Sequence, residues 1–379
     1  MTPQSLGLPI VIAVVAILLV AICIRRLRTL RQDRFSRPRR ITERVLLSLV
    51  VFVCAFLACT TIYNAAAMRY YAAIYPAPGK MYRVDGYDMH LYCTGEGSPT
   101  LVLEAGAGAD SITWIKVQPE LSKITRVCSY DRAGYGWSAP RPSPRDADTI
   151  AERLHSLLQQ AGITGPLVLM GHSMGGIYIR AYAGHYPQDV KGLIFLDPGT
   201  PTFDERQSAE LARATTITAP VYYSLAALTT LGLHRPVGSC APEPGMDVAT
   251  GTRFAQLECG KLLDSVWTEY NSEPQSNAET RNTGPYGDMP VMIISRDTKA
   301  AGQNLGIPAK LEPEFRALWD QEQDDLKRLS TRSRRIIAKG SGHHIQLDRS
   351  DLVNREVAIF IQQLRSNEPR TDYGTTTTE

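Results

Sequence analysis

The stretch GPLVLMGHSMGGIYIRAYAGHYP, residues 165–187, says most about how this chain folds. Its apolar run LVLM predicts a β-strand, and the segment after Gly175 has the composition of a helix. The turn between them, Gly171-His172-Ser173-Met174-Gly175, has the spacing G-x-S-x-G. A sharp strand-to-helix turn strains the backbone of its central residue, so the residues two positions away must be small. The motif therefore predicts that Ser173 is a nucleophile exposed at the tip of the turn.

A serine hydroxyl needs a base, and the base needs a third group that fixes its tautomer. The best base candidates are His343 and His344, in the Gly-flanked loop that follows the predicted strand RRIIA. We prefer His343 because the glycine before it frees the loop, and we expect His344 to pack or to form a hydrogen bond. The remaining histidines are expected to be packed or solvated; they are His90, His155, His172, His185 and His234.

Backbone amides must stabilise the negative charge that develops on an attacked carbonyl oxygen. One amide should come from Met174, directly after the nucleophile, and the other from the small-residue turn LEAGAGADS, where we assign it to Ala107. A further block, YDRAGYGWS, follows the predicted strand TRVCS. We expect its Asp131 and Arg132 to organise loops near the site rather than to act in catalysis.

Apolar strand-like segments alternate with helix-like ones from Met81 onward, and this alternation predicts a largely parallel α/β sheet. The blocks LEAGAG, YDRAGYGWS, GHSMGG and SGHHIQLD, in that order, resemble those of the α/β-hydrolase superfamily, specifically its α/β-hydrolase-1 group. The resemblance covers residues 81–367. It implies an eight-stranded, mostly parallel sheet of strand order 1-2-4-3-5-6-7-8, with helices on both faces and a cap inserted after strand six. Serine at position 173 separates the chain from haloalkane dehalogenases and epoxide hydrolases, which use aspartate there.

Two aspartates could orient the base, and both keep the chain order Ser, Asp, His of this superfamily. Asp297 directly follows the strand PVMIIS, and Asp197 directly follows GLIFL. We prefer Asp297, because it follows the later strand, although it comes about two residues earlier than the family spacing implies. Asp197 remains the alternative. Asp348 is a third candidate that we expect to cap the following helix.

The cap is assigned to residues 199–289, which interrupt the alternation of strands and helices. A disulfide between Cys240 and Cys259 could tie it together. The strand order implied by the resemblance makes the second and fourth strands neighbours, so Cys93 and Cys128 could also pair. Residues 368–379 have the composition of a disordered tail.

Two uncharged runs of nineteen residues, Leu6–Ile24 and Val45–Tyr63, are long enough to cross a bilayer. A signal peptide is the alternative for the first run, but the preceding MTPQS lacks the charged side chains expected there. The Arg-rich loop 25–44 should stay in the cytoplasm. We therefore expect residues 1–63 to form a transmembrane hairpin and 64–80 a linker, with the domain from residue 81 outside the cytoplasm of a cell-membrane protein.

The composition excludes several functional classes. Of the 379 residues 44% are hydrophobic and 21% are charged, which is too apolar for a disordered chain. The first 44 residues hold nine arginines and two acidic residues, so the rest of the chain carries a net charge of −4 although the whole is +3. A domain of that charge is not expected to bind nucleic acid.

These features predict a membrane-anchored serine hydrolase that cleaves a small-molecule or lipid-like ester through an acyl-enzyme on Ser173, without a metal or organic cofactor. The apolar cap segment VYYSLAALTTLGL, residues 221–233, favours a lipid-like substrate, although it could equally form ordinary cap core. An acyltransferase or an aminopeptidase on the same residues is an alternative. A catalytically idle membrane-anchored binding protein is another.

Overall fold

The computed structural model describes residues 4–30, 36–140, 144–235, 251–252, 255, 263–300, 307–366 and 372–379. The chain divides into two compact units. The first combines Met1–Pro76 with Thr218–Asp264, and the second combines Ala77–Ile217 with Ser265–Glu379. The segment expected to form one cap is therefore divided between the two units.

The first unit contains two long apolar helices, α1 (Gln4–Thr29) and α2 (Arg37–Ile74), each long and apolar enough to cross a membrane. They run antiparallel, and near the arginine-rich end Arg26 Nε donates to Glu43 Oε1 over 2.7 Å. The predicted linker 64–80 is wrong at its beginning, since α2 continues through Ile74. The reason is local, because NAAAMRYYAAI is rich in alanine and contains neither glycine nor proline.

The second unit is built on one sheet of nine strands in the order β1-β2-β4-β3-β5-β6-β7-β8-β9. β1 and β4 pair antiparallel with β2, and the other neighbouring strands are parallel. The strands are β1 (Lys80–Val84), β2 (Tyr87–Thr94), β3 (Thr100–Glu104), β4 (Val127–Tyr130), β5 (Leu167–His172), β6 (Val190–Leu196), β7 (Val291–Arg296), β8 (Ser333–Ala338) and β9 (Thr376–Thr378). All eight strands expected from the sequence are present, in the order implied by the resemblance.

Helices connect the strands and cover both faces of the sheet. They are α3 (Gln118–Leu121), α4 (Ala147–Gln160), α5 (Gly175–His185), α6 (Phe203–Arg206), α7 (Ala209–Thr215), α8 (Ala219–Thr230), α9 (Leu263–Thr280), α10 (Glu312–Asp325), α11 (Ile345–Asp348) and α12 (Ser350–Ser366). Strands β3, β4, β5 and β7 are buried at every residue, as expected for a sheet covered on both sides. Two apolar cores follow, one on each face. Helix α8 and the first two residues of α9 belong to the first unit, so α8 is not one of the helices that cover the sheet; the other helices of this group belong to the second unit.

Residues 372–379 were expected to belong to a disordered tail, but they contain the ninth strand. β9 pairs with β8, and the Lys339 amide donates to the Glu379 carbonyl over 2.7 Å. An edge strand leaves a row of backbone groups unpaired, and a threonine run has the β-branched side chains that suit a strand. The tail therefore adds a ninth strand to the sheet and becomes its edge.

Cys93 and Cys128 lie opposite each other on β2 and β4 and form a disulfide, which confirms the pairing expected from the strand order. The other suggested pair, Cys240 with Cys259, lies outside the described residues.

Candidate active site

Ser173 lies between β5 and α5 at φ +53°, the left-handed conformation that non-glycine residues rarely adopt. The flanking glycines permit this turn. A Cβ on Gly171 would lie 2.4 Å from the Gly175 carbonyl oxygen, and one on Gly175 would lie 2.5 Å from the carbonyl oxygen of Glu104. Backbone strain of this kind is concentrated at functional sites. The elbow therefore has the geometry that its sequence predicts.

The turn after β3 approaches the serine closely. A Cβ on Gly106 would lie 3.0 Å from Ser173 Cβ, so a side chain there would crowd the nucleophile. Within the described part of the chain, the amides of Met174 and Ala107 donate to no protein acceptor. Both amides are thus available to a carbonyl oxygen held beside Ser173.

His343 follows β8 and is paired with Asp197 at the end of β6. His343 Nδ1 lies 2.6 Å from Asp197 Oδ2, and the Asp197 side chain is fully buried. The adjoining backbone ties β6 to the elbow, because the Ser173 amide donates to Leu196 O over 3.2 Å and the Gly199 amide donates to Ser173 O over 2.9 Å. The three residues expected for a catalytic serine, its base and the alternative acid are therefore joined in one framework.

His344 is exposed, and its carbonyl accepts hydrogen bonds from the amides of Leu347 and Asp348, so it is the N-cap residue of α11. Asp348 does not cap the following helix. Its Oδ2 instead accepts from the Gly342 amide over 2.9 Å, which holds the loop that carries His343.

The preference for Asp297 is corrected by the structure. Asp297 Oδ1 accepts from the Lys299 amide over 3.0 Å, and Oδ2 accepts from the Gly340 amide over 3.1 Å. It therefore stabilises the turns that follow β7 and β8. The physical reason is the alternation of side chains along an extended backbone. Arg296 points toward Asp197 and His343, so the next residue points away from them.

Arg296 and Trp319 complete the surroundings of Asp197. The Arg296 amide donates to Asp197 Oδ1 over 3.0 Å, and its Nε donates to Oδ2 over 2.5 Å. Trp319 Nε1 also donates to Oδ1, over 2.9 Å, and the Arg296 guanidinium carbon lies 4.3 Å from the centroid of the Trp319 ring. With His343, four donors face this carboxylate. Sequence reasoning missed Arg296, whose signal was a charged residue at the end of the otherwise apolar strand VMIIS.

These contacts shift the pKa values of both partners. Burial by itself raises the pKa of Asp197, but the Arg296 charge and the His343 hydrogen bond outweigh it and lower that pKa below its ordinary value. Burial lowers the pKa of His343, and the Arg296 cation lowers it further, whereas the hydrogen bond to Asp197 raises it. Arg296 Nη2 lies 2.9 Å from His343 Nδ1. The carboxylate is thus ionised and the imidazole is biased toward the neutral form that a base requires.

His172, directly before the nucleophile, is buried, and its Nε2 donates to the His343 carbonyl over 2.9 Å. Burial lowers its pKa well below the ordinary value, and the neighbouring His343 and His344 lower it further. His172 is therefore a neutral donor that fixes the backbone of the His343 loop. The sequence analysis expected a packed or solvated histidine here, and His172 is packed. Its bond to the His343 loop was not expected, because an elbow motif places no requirement on the residue before the serine.

Arg132 fixes the turn that carries Ala107. Its Nη1 donates to Ala105 O and its Nη2 donates to Gly106 O, each over 2.7 Å. The same guanidinium pairs with Glu104 over 2.7 Å and with Glu269 of α9 over 2.9 Å, and all three side chains are buried. The arrangement agrees with the structural role expected for Arg132.

Asp131 has a similar loop-organising position. Its carboxylate accepts from the Ser111 amide over 2.8 Å and from the Trp137 amide over 2.9 Å, and His90 Nδ1 lies 2.8 Å from Oδ2. This buried His–Asp pair therefore joins β2 to the loop after β4.

Comparisons with known proteins agree with this fold. Residues 99–221, which include the elbow, match the family model described as alpha/beta hydrolase fold. The uncharacterized protein YbdG of Bacillus subtilis (strain 168) is 29% identical over 284 residues, which is 70% of this chain and 85% of YbdG. Among solved structures, a thermophilic esterase from Thermogutta terrifontis matches with a TM-score of 0.53 at 19% identity, over 75% of this chain and 99% of that chain.

Bromoperoxidase from Bacillus anthracis matches comparably, with a TM-score of 0.57 at 18% identity over 75% of this chain and 99% of that chain. The chain thus has the α/β-hydrolase fold, and residues 99–221 match the model of that family. Because an esterase and a bromoperoxidase resemble it to a similar degree, the fold does not select the reaction.

Proposed function

We propose that this protein is a serine hydrolase that cleaves an ester-type substrate through an acyl-enzyme on Ser173. The observation that carries the proposal is the His343–Asp197 pair, 2.6 Å apart, in a framework bonded to the strained elbow of Ser173. A serine outside a catalytic site needs neither the left-handed conformation nor two unpaired amides beside it.

In the proposed reaction, Ser173 Oγ attacks the ester carbonyl carbon while His343 Nε2 accepts the hydroxyl proton. The carbonyl π-bond pair moves to oxygen, and the amides of Met174 and Ala107 stabilise the resulting oxyanion. The tetrahedral intermediate collapses, the alkoxy group leaves with the proton from His343, and an acyl-serine ester remains. Water then attacks that ester by the same steps, releasing the carboxylic acid and restoring Ser173.

Asp197 would accept from the His343 Nδ1–H throughout, which leaves Nε2 free as the base and stabilises the imidazolium when it forms. Arg296 and Trp319 would keep the carboxylate ionised and oriented. No metal or organic cofactor enters this scheme.

We also propose that α1 and α2 anchor the protein in the cell membrane, with the arginine-rich segment in the cytoplasm and the hydrolase domain outside. The Cys93–Cys128 disulfide supports this orientation, because disulfides persist mainly in oxidising compartments. A membrane-impermeant reagent should then modify the C-terminal residues in intact cells. Anchoring beside a bilayer favours a lipid-like ester as substrate.

The alternatives use the same residues. An alcohol or amine in place of water would make the protein an acyltransferase, and an amide substrate with a free amine would make it an aminopeptidase. A binding protein without activity is the candidate from another class, but the retained Ser173, His343 and Asp197 disfavour it.

The test exposes membranes that carry the native protein to a fluorophosphonate probe. We expect labelling that is lost in Ser173→Ala and strongly reduced in His343→Ala, whereas His344→Ala, the matched control, labels like the native protein. An unlabelled native protein of unchanged fold would instead support the binding-protein alternative. Labelled protein would next be tested on esters of graded chain length.

A further inference from the structure

Helix α8 in the first unit is apolar but not buried. No charged residue occurs from Ala214 to Leu233. Its Val221, Leu225 and Leu228 follow a spacing of four and three residues, so they share one face, and they are 53%, 48% and 44% exposed. An exposed apolar stripe of this kind is unfavourable in water and marks a contact surface.

The length of α8 limits what could cover that stripe. Its twelve residues extend about 18 Å, which is too short to cross a hydrocarbon core of about 30 Å. Uncharged helices of this length are either buried core helices or lie in a membrane interface. Within the described residues, the exposure of the stripe excludes a buried core helix.

The end of α8 is fixed to α2, the second candidate membrane helix. Asn64 Nδ2 donates to Thr229 O over 3.3 Å, and Thr61 Oγ1 donates to Leu231 O over 3.4 Å. A Cβ on Gly232 would lie 2.4 Å from Thr60 O, so the chain after α8 packs directly on the α2 backbone. These contacts join α8 to one short segment of α2, Thr60–Asn64.

That segment lies near one end of the apolar part of α2. The helix has no charged residue from Val45 until Arg69, which is about two turns beyond Thr61. Tyr63 and Tyr70, both 61% exposed, lie on either side of this boundary. Tyrosines at the end of an apolar span are typical of the membrane–water interface.

We propose that α8 lies in the surface of the lipid bilayer, with Val221, Leu225 and Leu228 inserted among the acyl chains. The bilayer is the occupant that the observations favour, because α8 is bonded to a candidate membrane helix at the depth of its interfacial tyrosines. The inference rests on the anchor proposed above and extends it, since a third helix of the first unit would then touch lipid.

The test introduces the photoreactive residue p-benzoylphenylalanine, one position at a time, into the full chain in phosphatidylcholine nanodiscs. Leu225 and Leu228 are the test positions. Val53 of α2, 43% exposed, is the positive control, and Met81 of β1, 44% exposed in the hydrolase domain, is the matched negative control. We expect lipid adducts by mass spectrometry at Leu225, Leu228 and Val53, and none above background at Met81.

The outcomes separate this proposal from those on which it rests. Adducts at Val53 without adducts at Leu225 and Leu228 would overturn the placement of α8 and leave the anchor intact. Cross-links between two copies of the chain would show that a second protomer, and not lipid, covers the stripe on α8. No adduct at Val53 would overturn the anchor and this inference together. Fluorophosphonate labelling of the same samples reports the hydrolase proposal separately.

A second set of variants checks that the stripe makes the contact. With the photoreactive residue at Val221, the double substitution Leu225→Asp and Leu228→Asp should abolish the lipid adduct, because each carboxylate opposes insertion. Met81→Asp should leave the adduct unchanged. Retained adducts in the double variant would contradict the proposal.

Discussion

Arg296 Nε lies 2.5 Å from Asp197 Oδ2, so the carboxylate that holds His343 is itself paired with a buried cation. The pair has two effects. It keeps Asp197 ionised, as the proposed role of His343 as a base requires, and it places a positive charge near His343, which disfavours the imidazolium. The surroundings therefore lower the pKa values of Asp197 and His343 together.

This arrangement predicts the pH dependence of the proposed reaction. The base works as neutral imidazole, and the pKa of His343 lies below its ordinary value of 6.5, so the acidic limb of kcat/KM should lie below pH 6.5. Arg296→Gln removes a cation that lowers this pKa, so the limb should move to higher pH. Arg296→Lys keeps the charge and should shift it less. A limb that stays in place in Arg296→Gln would show that the cation does not act on His343.

The choice between the two aspartates is tested by a matched pair of variants. Asp197→Asn should lower kcat by about 10³–10⁴-fold, because the histidine loses the partner that fixes its tautomer. Asp297→Asn should keep kcat close to the native value, since its carboxylate bonds only to loop amides. Circular dichroism of both variants would show whether the fold is retained. A larger loss of kcat in Asp297→Asn than in Asp197→Asn would favour Asp297 as the acid.

Breaking the buried network around Arg132 should be costly. Arg132→Met leaves Glu104 and Glu269 without their cation, and loss of one partner of a buried ion pair costs about 3–5 kcal/mol. The exposed pair of Arg83 with Asp88 is the control, and Arg83→Met should cost about 0–1 kcal/mol. Urea unfolding measures both free energies. Equal costs would mean that the network does not hold the turn of Ala107.

Replacing both cysteines of the disulfide should destabilise the hydrolase domain. The bridge closes a loop across a separation of 35 residues, for which the chain-entropy estimate is about 4 kcal/mol. Cys93→Ala combined with Cys128→Ala should lower the urea midpoint, and Cys59→Ala, which removes a free thiol, should not. Peptide mapping without reduction should recover the Cys93–Cys128 link from the native protein, and its absence would contradict the structure.

Much of the fold was predictable, because its signals are local. The apolar runs of the eight expected strands and the glycines around Ser173 report sterics and hydrophobic burial within a few residues. The expectation that residues 372–379 are disordered was wrong because their structure depends on a contact that is remote in sequence. A polar threonine run indicates disorder when it is considered alone, and it forms β9 only because β8 offers an unpaired edge.

The candidate site divides in the same way. Ser173, Met174 and His343 could be assigned from the residues beside them, since the elbow and the Gly-flanked loop are local features. Asp197 and Asp297 both follow apolar strands, and nothing in either segment states which side chain meets His343. Arg296 was missed because its partners are remote in sequence.

The order of residues along the chain was thus sufficient for the strands, the elbow, the choice of His343 as the candidate base and two apolar runs long enough to cross a membrane. Three-dimensional packing decided which aspartate meets His343, what holds that aspartate ionised, and where α8 lies on α2. The physical reason is that steric and hydrophobic preferences act between neighbours in sequence. Hydrogen bonds and charges act through space, as between Asp197 and Arg296, 99 positions apart.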